Sequence, residues 1–175
     1  MNDLDVRTPA PDPNVQMAAW GKGVVVIGAT SAIARAIAIE LARQGYAILL
    51  AARDMDENER IATDLRVRTG SPAVALPFEA LDFPSHPAFV RTCIEHMGGA
   101  LEGVVVCFGA LEPQNELQAD FTRARRILDV NFTAAVSILE AFAPHFEQRR
   151  GGFIAAISSV AGDRGRQSNY HYGAA

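Results

Sequence analysis

Residues 23–45, GVVVIGATSAIARAIAIELARQG, decide the fold of this chain. The run Val24–Ile27 is continuous and β-branched, which predicts a strand buried on both faces. Gly28 follows at once and predicts a sharp turn. A dinucleotide-binding turn of this kind normally carries three glycines, whereas here Ala32 and Ala34 occupy the second and third positions. The stretch therefore predicts a strand–turn–helix unit whose ability to hold phosphate must be argued separately.

A helix is predicted directly after the turn, capped by Thr30 or Ser31 and closed by Gly45. Its apolar positions recur at helical spacing: Ile33, Ile37 and Leu41. Four further apolar runs predict strands at Ala47–Ala51, Ala73–Phe78, Val104–Phe108 and Phe153–Ser158. Helical patterns alternate with them at about Glu57–Thr69, residues 84–97 and Ala119–Phe142, the last broken near Pro144. This alternation predicts an α/β protein with a doubly wound parallel sheet, the Rossmann fold.

Composition narrows the class of function. The 175 residues carry a net charge of −4 without a long basic run, so we expect no nucleic-acid partner. Residues 1–19 are acidic and proline-rich, which predicts a disordered arm rather than a signal peptide, and leaves residues 20–175 as the folded domain. No apolar run is close to the length of about 20 residues that a membrane-spanning helix needs.

Cysteine and histidine usage adds further expectations. Cys93 and Cys107 form no CxxC pair, which predicts two buried thiols in a reducing compartment, and we expect a cytoplasmic protein. The histidines lack metal-ligand spacing, so we expect no metal and surface positions for all four: His86, His96, His145 and His171.

The ligand of a doubly wound sheet lies at the carboxyl ends of its strands. Gly28 allows the backbone to approach a ligand there, and the N–H groups and dipole of the following helix favour a pyrophosphate. Neither effect needs a side chain, and alanine adds only one methyl group at each replaced glycine. We therefore predict a working phosphate turn formed by Gly28, Thr30, Ser31, Ala32 and Ile33.

Arg53 favours NADP over NAD as the cofactor. It lies at the end of the second predicted strand, where an acidic residue would accept hydrogen bonds from the ribose hydroxyls of NAD. Arginine offers instead a planar set of donors suited to a 2′-phosphate. Two alternatives stay open: Asp54 could accept from a ribose hydroxyl, which keeps NAD possible, and Arg53 could be a solvated loop residue.

Three stretches resemble the short-chain dehydrogenase/reductase family: IGATSAIA at 27–34, LDVNFTAA at 128–135 and GGFIAAISSVAGDRGRQSNYHYGAA at 151–175. Ser159 and Tyr172 have the spacing of the catalytic serine and tyrosine of the family, and Asn131 matches its helix asparagine. VCFG at 106–109 stands where the family has NNAG, so only Gly109 is retained. Glu79 matches an adenine-contacting aspartate and is assigned to the cofactor together with Ala80. The turn and the SSVAGDRGRQSNY run are most similar to a bacterial subgroup near the decaprenyl-phosphoryl keto-pentose reductases.

The resemblance implies hydride transfer between a nicotinamide and a small-molecule carbonyl or alcohol. Tyr172 would move the proton, Ser159 would stabilise the substrate oxygen, and Asn131 would hold a water in a proton relay. A tyrosine needs a nearby positive charge to act as a base near neutrality. In the family a lysine four residues after the tyrosine provides it.

That lysine would follow Ala175, so we expect a Rossmann fold incomplete at the C-terminus and weak or no activity from this chain. The alternative is a catalytically inactive nucleotide-binding module or a truncated gene product. The resemblance implies a homo-oligomer for the full-length protein.

Overall fold

Five parallel strands form one sheet in the computed structural model, which describes residues 21–175. In chain order they are β1 (Gly23–Ile27), β2 (Ala47–Ala52), β3 (Ala73–Pro77), β4 (Leu101–Val106) and β5 (Phe153–Ala156). Their order across the sheet is β3-β2-β1-β4-β5. The strand order reverses beside β1, so the predicted doubly wound parallel sheet is confirmed. The arm predicted at residues 1–19 lies outside the described residues.

Within residues 21–175, eight α-helices connect or follow the strands: α1 (Ala32–Arg43), α2 (Met55–Thr69), α3 (His86–His96), α4 (Gln114–Ala119), α5 (Phe121–Leu128), α6 (Ala134–Arg149), α7 (Val160–Asp163) and α8 (Tyr170–Ala174). A 3₁₀ turn at Phe83–Ser85 precedes α3, and a π-helical turn at Asp129–Thr133 joins α5 to α6. Successive side chains of a strand face opposite sides of the sheet. Val25 accordingly packs in one core cluster with Phe142, and Val24 packs in the other with Ala34.

The buried stripe of α1 differs from the predicted one. The residues that face the sheet are the alanines Ala34, Ala38 and Ala42, whereas Ile33 is 57% exposed. Small side chains allow a helix to lie close to a sheet. Ala34 stands where a third glycine would be expected. Its methyl group therefore packs between the helix and the sheet and does not point into the turn.

The register of the sheet brings the ends of all five strands to one level. Ile27 pairs with Ala51 on one side and with Val106 on the other. Beyond these neighbours, Ala52 pairs with Pro77 and Val106 with Ala156. The loops after the strands consequently share one edge, where adjacent strands are separated by about 4.8 Å.

The long helix is not the single element predicted at Ala119–Phe142. It divides into α5, the π turn and α6, and Asp120 caps α5 by accepting hydrogen bonds from Thr122 and Arg123. The predicted break near Pro144 is wrong, because α6 continues to Arg149. Pro144 is exposed, so the carbonyl group that its ring leaves without a donor can bind water.

One helical stretch among the described residues, Phe121–Arg149, is long and apolar enough to cross a membrane by length and composition alone. Its inner face is part of the core, since Ile138, Phe142 and Phe146 pack in the same cluster as β4. A core helix passes the same test of length and composition, so the stretch does not assign a membrane.

Candidate active site

The loop after β4 shapes the turn at Gly28. Gly28 has a φ of 83°, and a Cβ at this residue would lie 2.5 Å from the backbone nitrogen of Phe108. The amides of Gly28 and Ala29 both donate to the carbonyl oxygen of Ala51, at 2.8 and 3.1 Å. Only glycine fits a position with this dihedral angle and this close neighbour.

The first turn of α1 faces solvent beside Gly28. Ser31 caps the helix by accepting a hydrogen bond from the backbone nitrogen of Ala34 at 3.1 Å. Ala32 and Ile33 are exposed, Thr30 is half-buried, and the described first turn carries no acidic side chain. The positive end of the helix is therefore open to an anion.

Arg53 follows β2, the strand next to β1, and its side chain is exposed. The neighbouring Asp54 caps α2, because its Oδ1 accepts from the backbone nitrogen of Glu57 at 3.0 Å. Hydrogen bonds from Arg60 and Arg35 lower the pKa of Glu57, with Arg60 contributing most. Asp54 and Glu57 thus have partners of their own.

The loop after β3 carries the predicted adenine contacts. Glu79 is exposed, and its Oε1 accepts a hydrogen bond from the backbone nitrogen of Leu81 at 3.1 Å. Ala80 is half-buried and packs against the core. Both residues lie two strands from Gly28 at the same edge of the sheet.

The surface position expected for His86 is wrong, since its side chain is 0% exposed. Its ring stacks on Phe78 at 5.2 Å, and its Nδ1 lies 2.8 Å from Oγ of Ser137. Burial lowers the pKa of His86, and the nearby backbone of Glu79 and Ala80 offsets part of this effect. His86 packs against the loop that carries Glu79 and does not face solvent.

Asn131 holds the loop after β4. Its Oδ1 accepts from the backbone nitrogen of Ala110 at 2.7 Å, and its Nδ2 donates to the Ala110 carbonyl oxygen at 2.9 Å. A Cβ at Gly109 would lie 3.5 Å from the same Oδ1. These two hydrogen bonds from the π turn explain why a residue of poor helix propensity occupies a helical segment. They connect Asn131 with Ala110 and so place it beside Gly109, a residue that the sequence assigned separately.

Cys107 is half-buried, whereas Cys93 is fully buried. Burial raises the pKa of both thiols, for Cys107 to about 11. Both side chains are therefore protonated thiols at neutral pH. The described residues contain no cluster of three His, Cys, Asp or Glu side chains that could hold a metal.

Ser159 follows β5 at the same sheet edge as Gly28, with β4 between the two strands. Its Oγ accepts a hydrogen bond from the backbone nitrogen of Ala161 at 3.2 Å and caps α7. A hydroxyl that accepts one hydrogen bond can still donate its own hydrogen. The capping geometry therefore fixes the oxygen of Ser159 and leaves its O–H available to a substrate oxygen.

Tyr172 lies on α8, which packs against α7. A Cβ at Gly173 would lie 2.6 Å from the carbonyl oxygen of Ala161, so the two backbones are in direct contact. Tyr172 is half-buried. Tyr170, the other tyrosine of this helix, is 40% exposed and its hydroxyl accepts from Nε2 of Gln118 at 3.0 Å.

Sequence reasoning missed Gln114, which it placed in a polar loop. Gln114 begins α4 and is 8% exposed. Its amide forms hydrogen bonds with the backbone and the ring of His171, the residue before Tyr172. The partners are 57 residues apart in sequence, and no local pattern joins them. The sequence did contain one local indication of a helix start here, because Pro113 directly precedes Gln114 and proline is common at helix beginnings.

Comparison with known proteins supplies the family. The family described as short chain dehydrogenase matches residues 22–175. An uncharacterized oxidoreductase of Mycobacterium tuberculosis is 33% identical over 153 residues, which cover 87% of this chain and 60% of the relative. The chain spans about 60% of the length of the first curated relatives that it matches.

Two solved structures share the fold. An alcohol dehydrogenase of the archaeon Thermococcus sibiricus, solved with 5-hydroxy-NADP, has a TM-score of 0.77 at 28% identity and covers 87% of this chain and 64% of that one. A short-chain dehydrogenase of Sphingobium yanoikuyae, solved with NADPH, has a TM-score of 0.77 at 26% identity, with coverages of 87% and 59%.

Proposed function

The chain belongs to the short chain dehydrogenase family, and we propose that its protein is an NADP(H)-dependent oxidoreductase acting on a small-molecule carbonyl or alcohol. The observation that supports this most is the level register of the strands, which places the Gly28 turn and the Ser159 loop at one sheet edge. The helix of Tyr172 packs on the helix that Ser159 caps. We take residues 20–175 as the dinucleotide-binding domain.

The residues at this edge fit a dinucleotide. The open first turn of α1 offers backbone N–H groups and a positive dipole to the pyrophosphate, near Gly28, Thr30, Ser31, Ala32 and Ile33. Arg53 would hold the 2′-phosphate with its planar donors. Glu79, Ala80 and Gly109 would contact the remainder of the nucleotide. Two structural relatives solved with NADP-type molecules agree with this choice.

The chemistry divides between the cofactor and the protein. When bound, the nicotinamide supplies or accepts the hydride. Ser159 donates a hydrogen bond to the substrate oxygen, where negative charge develops. Tyr172 gives a proton to that oxygen in reduction and takes it back in oxidation. Asn131 holds the loop at Ala110 in place, and we propose that Asn131 also holds a water in the proton relay.

NADPH oxidation by the purified protein, followed at 340 nm with a panel of ketones and aldehydes, tests this function. Tyr172→Phe is expected to lower turnover by about 10²-fold or more, and Ser159→Ala by about 10²-fold, because each loses a group that acts in the transition state. Both variants should bind NADPH like the wild type. Tyr170→Phe is the matched control and should keep its turnover.

Two negative results would lead to different conclusions about the function. NADPH binding without turnover of any substrate would support a nucleotide-binding module in place of an enzyme. Absence of NADPH binding would contradict the proposal as a whole.

A narrower hypothesis concerns the substrate. The GATSAIA turn and the SSVAGDRGRQSNY run resemble reductases of lipid-linked keto-pentoses, so the panel should include a keto-pentose attached to a polyprenyl phosphate. Turnover of that compound well above simple ketones would support the subgroup, and equal turnover would contradict it.

We also propose that the protein is a cytoplasmic homo-oligomer. The helical stretch from α5 to α6 exposes Phe132 and Val136, which are 59% and 44% accessible, and this helix commonly forms the dimer interface in the family. Light scattering of the wild type and of Phe132→Ser tests the interface, and a wild-type monomer would contradict it.

A further inference from the structure

The helix that carries Tyr172 begins without a cap from its own sequence. Asn169 occupies the N-cap position of α8 and makes no side-chain capping bond. Its Oδ1 is buried without a hydrogen-bond partner among residues 21–175. The first N–H groups of any helix lack partners within the helix and need an outside acceptor.

Gln114 of α4 supplies the missing acceptor. Its Oε1 accepts from the backbone nitrogen of His171 at 3.2 Å, and its Nε2 lies 2.5 Å from Nδ1 of the same residue. The backbone N–H identifies the amide oxygen, so the amide nitrogen must face the ring. Nδ1 of His171 is then the acceptor, and the ring proton is on Nε2. One buried amide thus fixes both the main chain and the side chain of the residue before Tyr172.

Two ion pairs hold α4 in place for this contact. Arg123 of α5 forms ion pairs with Glu112 and with Glu116, each at 2.6 Å. Hydrogen bonds with charged partners hold the start of α4 and its first turn against α5. The second contact between α4 and α8, from Gln118 to the hydroxyl of Tyr170, lies at the surface.

We propose that Gln114 is a positioning residue for the reaction, capping α8 from a separate element and thereby setting the orientation of Tyr172. This inference rests on the proposed function, in which Tyr172 moves the proton. α4 follows the loop that Asn131 holds at Ala110, so the cap connects the cofactor side of the site with the proton donor.

Three variants of the protein separate positioning from general stability. Gln114→Met removes both hydrogen bonds at similar volume. Gln114→Glu keeps an acceptor for the His171 amide and can also accept from Nδ1–H in the other ring tautomer. Gln118→Met, one turn further along α4, is the matched control. The measurements are kcat, KM for NADPH, the thermal midpoint, and hydrogen exchange at the His171 amide.

Gln114→Met is expected to lower kcat by about 10- to 100-fold, since a small misplacement of a reacting group has effects of this size. KM for NADPH should stay within about twofold, because the cofactor contacts are untouched. Gln114→Glu should restore most of kcat, and Gln118→Met should behave like the wild type. Exchange at the His171 amide should accelerate in Gln114→Met alone.

Other results would overturn the inference. An unchanged kcat in Gln114→Met, with Tyr172→Phe inactive, refutes positioning and leaves the proposed function intact. Equal losses in the Glu and Met variants, accompanied by a lower thermal midpoint, would reduce Gln114 to a structural role. Full turnover in Tyr172→Phe refutes the proposed proton donor, and the exchange rate at His171 still decides whether Gln114 caps the helix.

Discussion

Gly173 lies directly against the carbonyl oxygen of Ala161, which a Cβ at residue 173 would approach to 2.6 Å. Real Cβ atoms essentially never come this close to such an atom, so a side chain here must push α8 away from α7. Ser159 caps α7 and Tyr172 precedes Gly173. The contact between these two backbones therefore holds α8, which carries Tyr172, against α7, which Ser159 caps.

Gly173→Ala is expected to lower both turnover and stability. The added methyl group overpacks the contact at a cost of about 1–3 kcal/mol, and it displaces the helix that carries Tyr172. Urea unfolding and kcat measure the two effects. Gly162→Ala is the matched control, since its Cβ would lie 3.8 Å from the carbonyl oxygen of Gly173. Similar behaviour of both variants would contradict the steric argument.

Gly28→Ala is expected to weaken folding and NADPH binding together. The substitution combines a strained φ of 83° with a contact of 2.5 Å to the backbone of Phe108. Gly45 has the same φ of 83° and open space around its Cβ position, so Gly45→Ala isolates the strain. We expect Gly45→Ala to cost about 1 kcal/mol and Gly28→Ala clearly more, by urea unfolding. Equal costs would show that the close approach of the Phe108 backbone has no influence.

Arg53→Asp is expected to weaken NADPH binding far more than NADH binding. The change replaces the donors proposed for the 2′-phosphate with a like charge that repels it. Titration of both nucleotides by fluorescence measures the ratio of the two dissociation constants. Arg91→Asp makes the same charge change at another exposed residue and should leave that ratio unchanged. Equal losses for the two nucleotides at residue 53 would refute the assignment.

Asn131→Asp is expected to loosen the loop after β4. The carboxylate still accepts from the Ala110 nitrogen, but its second oxygen then faces the Ala110 carbonyl oxygen in place of a donor. Losing a partly buried hydrogen bond in this way costs about 1–3 kcal/mol, measured by urea unfolding. Asn115→Asp, at an exposed position, provides the same chemical change without these partners. A stability loss equal to that control would contradict the proposed role of the amide.

Acidification is expected to destabilise the protein through His86. Burial lowers the pKa of His86 in the folded state, so below the ordinary value of about 6.5 the unfolded chain binds a proton that the folded chain resists. The stability is fully present above that pH and is lost as pH falls toward the lowered folded value. The slope is at most about 1.4 kcal/mol per pH unit for one proton.

His86→Gln keeps a partner for Ser137 and cannot take up the proton. Urea unfolding between pH 7.5 and 5.5 should therefore show a smaller decline in stability for the variant than for the wild type. Parallel declines would show that another group is responsible.

The sequence predicted secondary structure correctly where the residues that determine it lie close together along the chain. The apolar runs located all five strands, with β4 beginning three residues earlier than expected, at Leu101. Ser31 capped α1 as one of the two candidates. The prediction near Pro144 was wrong because a helix tolerates proline where the freed carbonyl group meets water, and that depends on which face of α6 is exposed.

What the sequence by itself determined is the order of elements, the parallel sheet, and the loops in which the candidate site residues stand. These follow from periodicity and turn chemistry within a few residues of each position. The tertiary structure alone decided that His86 is buried, that Asn131 holds Ala110, and that Gln114 caps the helix of Tyr172. Each of these relations joins groups from different elements, and such contacts depend on how helices pack on the sheet, which no short stretch of sequence encodes.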